Sequence, residues 1–203
     1  MGHHLVPVCS YVSLRGKCSG CNFPISILYP TVELASGFLF VGALFLVPFA
    51  LVTAFLLALT LWLLLLISII DARTMEVPDV LSLPLLLFAV LTSLSLNGAL
   101  ELSGVILAAG FFGLQWILSR GTWVGSGDVI IAVAIGFLLA DYGLVLIALL
   151  LSYVLGAVYA SVLLITKKID RKARLPFGPF LATGTVITLV VGPHILMRLF
   201  HVL

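Results

Sequence analysis

The sequence predicts an all-α membrane protein, a bundle of about seven transmembrane helices. Three observations predict it. Of 203 residues, 63% are hydrophobic and only 9% are charged. Mean hydropathy is +1.33, far above that of a soluble domain. The apolar residues also fall in long runs, parted by short stretches that collect the prolines, glycines and charges. Helices are the open-ended way to satisfy backbone polar groups inside lipid, so the runs read as helices.

The elements follow in order. Residues 1–30 form a short segment with turn formers, cysteines and basic residues, and no apolar stretch that would make a cleavable signal peptide. His3 and His4 carry no weight. Span one covers residues 31–47 and stops at Pro48. Span two covers 49–70 and is leucine-rich. A polar segment, 71–79, leads into span three at 80–96, which ends at Asn97-Gly98. Span four covers 102–118. A loop, 119–127, precedes span five at 128–140, which is short enough to require tilt or shielding by protein. Asp141-Tyr142-Gly143 is a tight turn. Span six covers 144–165. A basic loop at 167–174 precedes span seven at 180–199.

Positive charge sets the expected orientation. With residues 1–30 inside, the inner segments hold Arg15, Lys17, Arg73, Arg120, Lys167, Lys168, Arg171, Lys172 and Arg174, nine of the ten Lys and Arg residues. Only Arg198 lies outside. Inner loops carry the cationic excess in membrane proteins. This places Asp71 and Asp128 at the cytoplasmic face. Glu101 and Asp141 fall in outer turns, where helix capping explains them. Glu33 sits near the inner start of span one, where a helix N-terminus favours acid. Trp123 suits the interfacial aromatic belt. The basic run 167–174 reads as a topology signal.

Asp71 and Asp128 are the informative residues. A carboxylate in a membrane span costs about 2.5–3.5 kcal/mol at mid-helix, less near the interface. Each taken alone reads more readily as a cap or turn residue than as a functional one. They are 57 residues apart in sequence (128 − 71), but the two intervening spans return the chain to the same face. Gly125 and Gly127 flank Ser126 just before Asp128. They permit unusual dihedrals and close approach of another backbone. A nucleotide loop does not fit, because no strand precedes the glycines and no Lys-Ser/Thr follows. No nucleic-acid partner is expected.

Chemistry narrows the field. No Ser/His/Asp set exists on the inner face, since His194 and His201 belong to the far end of span seven. No His-Glu-x-x-His zinc signature occurs. Two carboxylates suffice for peptide hydrolysis. At close range they share one proton; the ionised member draws a proton from water while the protonated one hydrogen-bonds the scissile carbonyl.

The sequence resembles the type IV prepilin peptidases, membrane aspartic proteases with a Gly-x-Gly-Asp motif. Four pieces in order carry the resemblance: residues 10–34 with Cys18-Ser19-Gly20-Cys21; Asp71-Ala72-Arg73 followed by Pro78-Asp79; Gly125-Ser126-Gly127-Asp128; and Pro176-Phe177-Gly178-Pro179 before the last span. The resemblance implies a division into residues 1–30, a short cytoplasmic segment, and 31–203, a membrane-embedded peptidase domain. It implies Asp71 and Asp128 as the catalytic pair, supported by Gly125, Gly127, Pro176, Phe177, Gly178 and Pro179. It implies a prepilin or pseudopilin substrate, cut at the cytoplasmic side of a bacterial inner membrane, and no cofactor for proteolysis.

Many members of that family carry an additional first span and two Cys-x-x-Cys pairs. This sequence starts inside the homologous loop and has one pair. Cys18 and Cys21 have the spacing of half a tetrahedral zinc site, to be completed by Cys9, a histidine or a second chain; the bland reading is a pair of free thiols. The family's N-methyltransferase activity uses S-adenosylmethionine and is expected here only if the shortened cytoplasmic segment retains it. Two other readings compete. A proton- or cation-coupled transporter also uses intramembrane acids, but only Gln115 and a few hydroxyls lie mid-span, so no polar ladder crosses the bilayer. A catalytically inactive assembly factor of a pilus or secretion machine would not require the two aspartates.

Overall fold

The computed structural model describes residues 8–170 and 173–200. His3, His4, Arg171, Lys172 and His201 lie outside them. Seven long helices follow one short one, α1 (Cys9–Ser13). They are α2 (Leu28–Leu46), α3 (Leu51–Thr74), α4 (Asp79–Asn97), α5 (Ser103–Ser119), α6 (Ser126–Leu139), α7 (Tyr142–Ile165) and α8 (Gly178–Phe200). Among the described residues the only β pairing is an isolated bridge between Lys17 and Pro24.

The all-α bundle predicted from hydropathy is what forms. Five helices, α2, α3, α4, α7 and α8, are long and apolar enough to cross a membrane. The other two are shorter: α5 has 17 residues and α6 has 14. At 1.5 Å per residue α6 spans about 21 Å, less than the roughly 30 Å hydrocarbon layer. Its surroundings explain how it persists. Ile131, Ala132, Ala134, Ile135, Gly136, Leu138 and Leu139 are all buried, with α4, α5, α7 and α8 packed around them. This helix faces protein more than lipid, so its length need not match the bilayer. By contrast α2 packs mainly on α3, and Phe38 and Phe45 along it are exposed, as a lipid-facing surface requires.

Small residues let the inner helices approach. A Cβ on Gly104 would stand 2.7 Å from the Ala140 carbonyl oxygen, and one on Gly136 would stand 2.6 Å from the Val105 Cα. Those two glycines therefore set the α5–α6 separation, the small-residue device of membrane helix pairs. Between α3 and α4, hydroxyls bridge instead: Thr60 to Thr92 at 3.1 Å and Thr53 to Ser95 at 2.6 Å.

The helix ends differ from the expected boundaries for local reasons. Helix α3 runs past Ile70 to Thr74 and stops where Met75 turns left-handed, at φ 55°. The Met75 N–H then donates to the Asp71 carbonyl at 2.8 Å. Helix α7 begins at Tyr142 because the Asp141 carboxylate accepts from the Gly143 and Leu144 N–H groups at 2.7 and 3.0 Å. That is the N-cap role the turn suggested. Glu33 accepts from the Val8 N–H at 3.0 Å, tying the start of the described chain to α2.

Candidate active site

One end of the bundle is built from three connections. The α3–α4 turn, the α5–α6 loop and the segment before α8 together line a cavity of about 930 Å³. Both Asp71 and Asp128 open into it, with Gly125, Gly127, Pro176 and Phe177. Gly178 and Pro179 start α8 directly behind the wall. The structure thus brings together the two aspartates and the flanking segments that the sequence marked, although 57 residues separate the acids.

Asp71 occupies the last turn of α3, where the helix dipole disfavours an anion. Another helix offsets this. Its Oδ2 accepts from the Gly178 N–H at 2.8 Å, inside the protein, and Gly178 is the first residue of α8. Asp71 is 5% exposed, so this donor replaces much of its lost solvation. A larger residue there would have to displace the Asp71 side chain: a Cβ would stand 2.8 Å from Asp71 Oδ2 and 3.3 Å from its Cβ. Ser68 fixes the same turn, donating its hydroxyl to the Gly178 carbonyl at 3.3 Å.

Asp128 is held in a related way. Helix α6 begins at Ser126, two residues earlier than expected, because Gly125 is its N-cap. Asp128 in the first turn reaches back, and its Oδ2 accepts from the Gly125 N–H at 3.2 Å. This is the carboxylate half of a capping box. Each acid therefore has one oxygen held by a backbone N–H at a helix start, Asp71 by α8 and Asp128 by α6. Asp128 also feels the charge of Asp71.

The two motif glycines do different jobs. Gly125 is extended, at φ −75° and ψ 156°, so no unusual dihedral is needed there. A Cβ at Gly125 would meet Asp128 Oδ2 at an ordinary 3.7 Å. Gly127 is the tight one. A Cβ there would collide with the Val77 side chain, 2.9 Å from its Cγ2. Close approach is thus the reason for Gly127, and the neighbour is a side chain of the α3–α4 turn.

Several lining residues were not singled out from sequence. Val77 seals against Gly127. Trp123 and Arg174 line the cavity, although their charge and amphipathicity had simpler explanations. Tyr153 on α7 feels the charge of Asp128 and stacks on Phe177. Its only sequence signal was an isolated polar partner, Gln115, in an apolar run.

Cys18 and Cys21 lie in the segment before α2, in a knuckle closed by the Cys18 N–H donating to the Phe23 carbonyl at 2.9 Å. Backbone hydrogen bonds from Gly20 and then Cys21, with one from the Cys21 thiol, hold the Cys18 thiol below its ordinary value. Zinc needs four such ligands in a structural site. No group of three or more His, Cys, Asp or Glu side chains that could hold a metal occurs among the described residues. Among the described residues, no third such side chain joins Cys18 and Cys21.

A multi-pass helical bundle that gathers two carboxylates in one cavity at its end defines a polytopic membrane protein with a candidate site at that end. Comparison with known proteins narrows the class. Residues 58–161 match the type IV leader peptidase family, and residues 2–47 match the bacterial peptidase A24 N-terminal domain. A prepilin leader peptidase/N-methyltransferase of Aeromonas hydrophila is 35% identical over 200 residues, covering 94% of this chain and 67% of that protein. One from Burkholderia pseudomallei (strain 1026b) is 40% identical over 196 residues, covering 92% and 62%. One from Bacillus subtilis (strain 168) is 31% identical over 199 residues, covering 95% and 77%. No solved structure matches the chain significantly. The chain belongs to the type IV leader peptidase family.

Proposed function

We propose that this chain is an aspartic endopeptidase that removes the basic leader from a type IV prepilin or pseudopilin. Asp71 and Asp128 are the catalytic pair. The observation that carries this reading is their convergence in one cavity, each with a single oxygen held by a backbone N–H at a helix start. That arrangement orients both carboxylates and leaves Oδ1 of each for chemistry. The ionised member of the pair takes a proton from water. The protonated member hydrogen-bonds the scissile carbonyl and stabilises the developing oxyanion.

The relatives' printed name supplies the substrate class, and the bundle makes it physically reasonable. A prepilin's apolar helix lies in the bilayer beside the spans, which positions the bond at the membrane boundary where the cavity opens. The positive-inside count supports a cytoplasmic-facing cavity in a bacterial inner membrane. The charged connections at the cavity end are those counted as inner. Gly125, Gly127, Pro176, Phe177, Gly178 and Pro179 serve the pair as supports.

Purified protein in lipid, incubated with candidate prepilins, tests the reading. Mass spectrometry of the product N-terminus is expected to show one cut between leader and apolar helix. An intact substrate across the prepilins of the host would contradict it. The same spectra report whether the new amine gains a methyl group when S-adenosylmethionine is supplied.

A further inference from the structure

Phe177 immediately precedes Gly178, whose N–H holds Asp71. The position of that ring therefore bears on the position of the donor. Three aromatic rings pack against it, and a fourth buttresses one of them. Tyr153 is closest, with ring centroids 4.9 Å apart at 53°. Phe112 stands at 6.1 Å and Phe180 at 6.3 Å. Phe111 buttresses Tyr153 edge-on at 5.7 Å and 86°. Space for the cluster comes from Gly156, where a Cβ would stand 3.4 Å from the Phe180 ring and 3.6 Å from the Phe177 ring.

Tyr153 is itself locked. Its hydroxyl donates to Gln115 Oε1 at 3.1 Å. The Gln115 amide is in turn oriented, because its Nε2 donates to the Phe111 carbonyl at 3.3 Å. A side-chain amide in an apolar helix is costly unless partnered, and here both of its ends are used. Contacts thus run unbroken from Gln115 through Tyr153 and Phe177 to Gly178 and Asp71.

We propose that Tyr153, locked by Gln115, is a positioning residue for peptide hydrolysis: its ring fixes Phe177 and so aims the Gly178 N–H at Asp71. This rests on the peptidase reading above. Tyr153 need not touch the scissile bond. Misplacement of a reacting group by about 1 Å costs on the order of 100-fold in rate, so a support at one remove has kinetic leverage.

Kinetics and a turnover-free probe test it together. Tyr153→Ala is expected to lower kcat on the order of 10- to 100-fold with little change in KM. Tyr153→Phe keeps the ring and is expected to rescue most of that loss. Gln115→Leu is expected to cost about two- to tenfold, the worth of one net hydrogen bond, and serves where the alanine variant fails to insert. In a Phe177→Ala background, Tyr153→Ala is expected to add little, because both act through one path. Separately, 4-fluorophenylalanine at position 177 is expected to give a 19F resonance that shifts or broadens in Tyr153→Ala. Unchanged kcat, a loss confined to KM, fully multiplicative losses with Phe177→Ala, or an unchanged 19F line would each overturn the proposal. The 19F readout needs no turnover. A wild-type chain inert on every prepilin, with a responsive 19F line, would fault the peptidase reading and leave the tie between Tyr153 and Phe177 standing.

Discussion

The Gly178 N–H and the Asp71 carboxylate are 107 residues apart in sequence and 2.8 Å apart in space. That contact joins the end of α3 to the start of α8, and it leaves no room for a side chain at position 178 unless Asp71 shifts. Gly178→Ala is therefore expected to push Asp71 from its seat and lower the cleavage rate on the order of 100-fold. Gly125→Ala meets the other aspartate at an ordinary 3.7 Å and is expected to lose far less, only what the weaker cap of an alanine at the start of α6 costs. Cleavage assays of the two alanine variants at matched expression check both. Equal losses would show that close approach is not what Gly178 provides.

Gly127 leads to a stability prediction. Its absent side chain makes room for Val77, so Gly127→Ala overpacks the α3–α4 turn against α6. The expected cost is about 1–3 kcal/mol, read as a lowered thermal midpoint in detergent. Val77→Ala in the same chain is expected to recover part of it, because two of the three clashing atoms are the valine Cγ atoms. The alanine that remains keeps its Cβ, so recovery is expected to be partial. No recovery would place the strain elsewhere.

The cysteines allow a pH test outside the membrane helices. Backbone donors hold the Cys18 thiol below its ordinary value, so its thiolate persists to lower pH. Maleimide or iodoacetamide labelling near neutral pH is expected to modify Cys18 faster than the cysteine of an unstructured reference peptide. As pH falls, Cys18 labelling is expected to decline later than labelling of that reference peptide. Peptide mapping by mass spectrometry measures both rates, and parallel pH profiles would contradict the assignment.

Metal dependence follows from the donor set. Cys18 and Cys21 supply two of the four ligands zinc takes in a structural site, and no third donor joins them among the described residues. The two carboxylates carry the hydrolysis without a metal in the proposed reaction. Treatment with a chelator is expected to leave cleavage of a prepilin within about twofold of untreated protein, a change too small to reflect loss of a Lewis acid. A large chelator-induced loss, restored by zinc, would contradict it.

Much of this was legible in the chain, and the remainder was not for definite reasons. Long apolar runs give the seven hydrophobic helices, because every backbone group in lipid must bond within its own segment. The two acids stood out because an ionisable residue is costly beside such runs. Periodicity says nothing about which residue donates to Asp71, and a contact spanning 107 positions leaves no local trace. Helix starts shifted for similar reasons: Gly125 caps α6 and Asp141 caps α7, so both helices begin earlier than their apolar runs. Val77 and Tyr153 look like ordinary core and lipid-facing residues in sequence. Only packing shows that one requires Gly127 and the other abuts Phe177.

The most direct measurement is processing of a co-expressed prepilin by Asp71→Asn and Asp128→Asn variants, each first shown to be folded and membrane-inserted. Asparagine keeps shape and removes the acid. The expected result is loss of detectable cleavage in both, with wild type cutting the same substrate. Full processing by either variant would remove that aspartate from the reaction and contradict the two-carboxylate account.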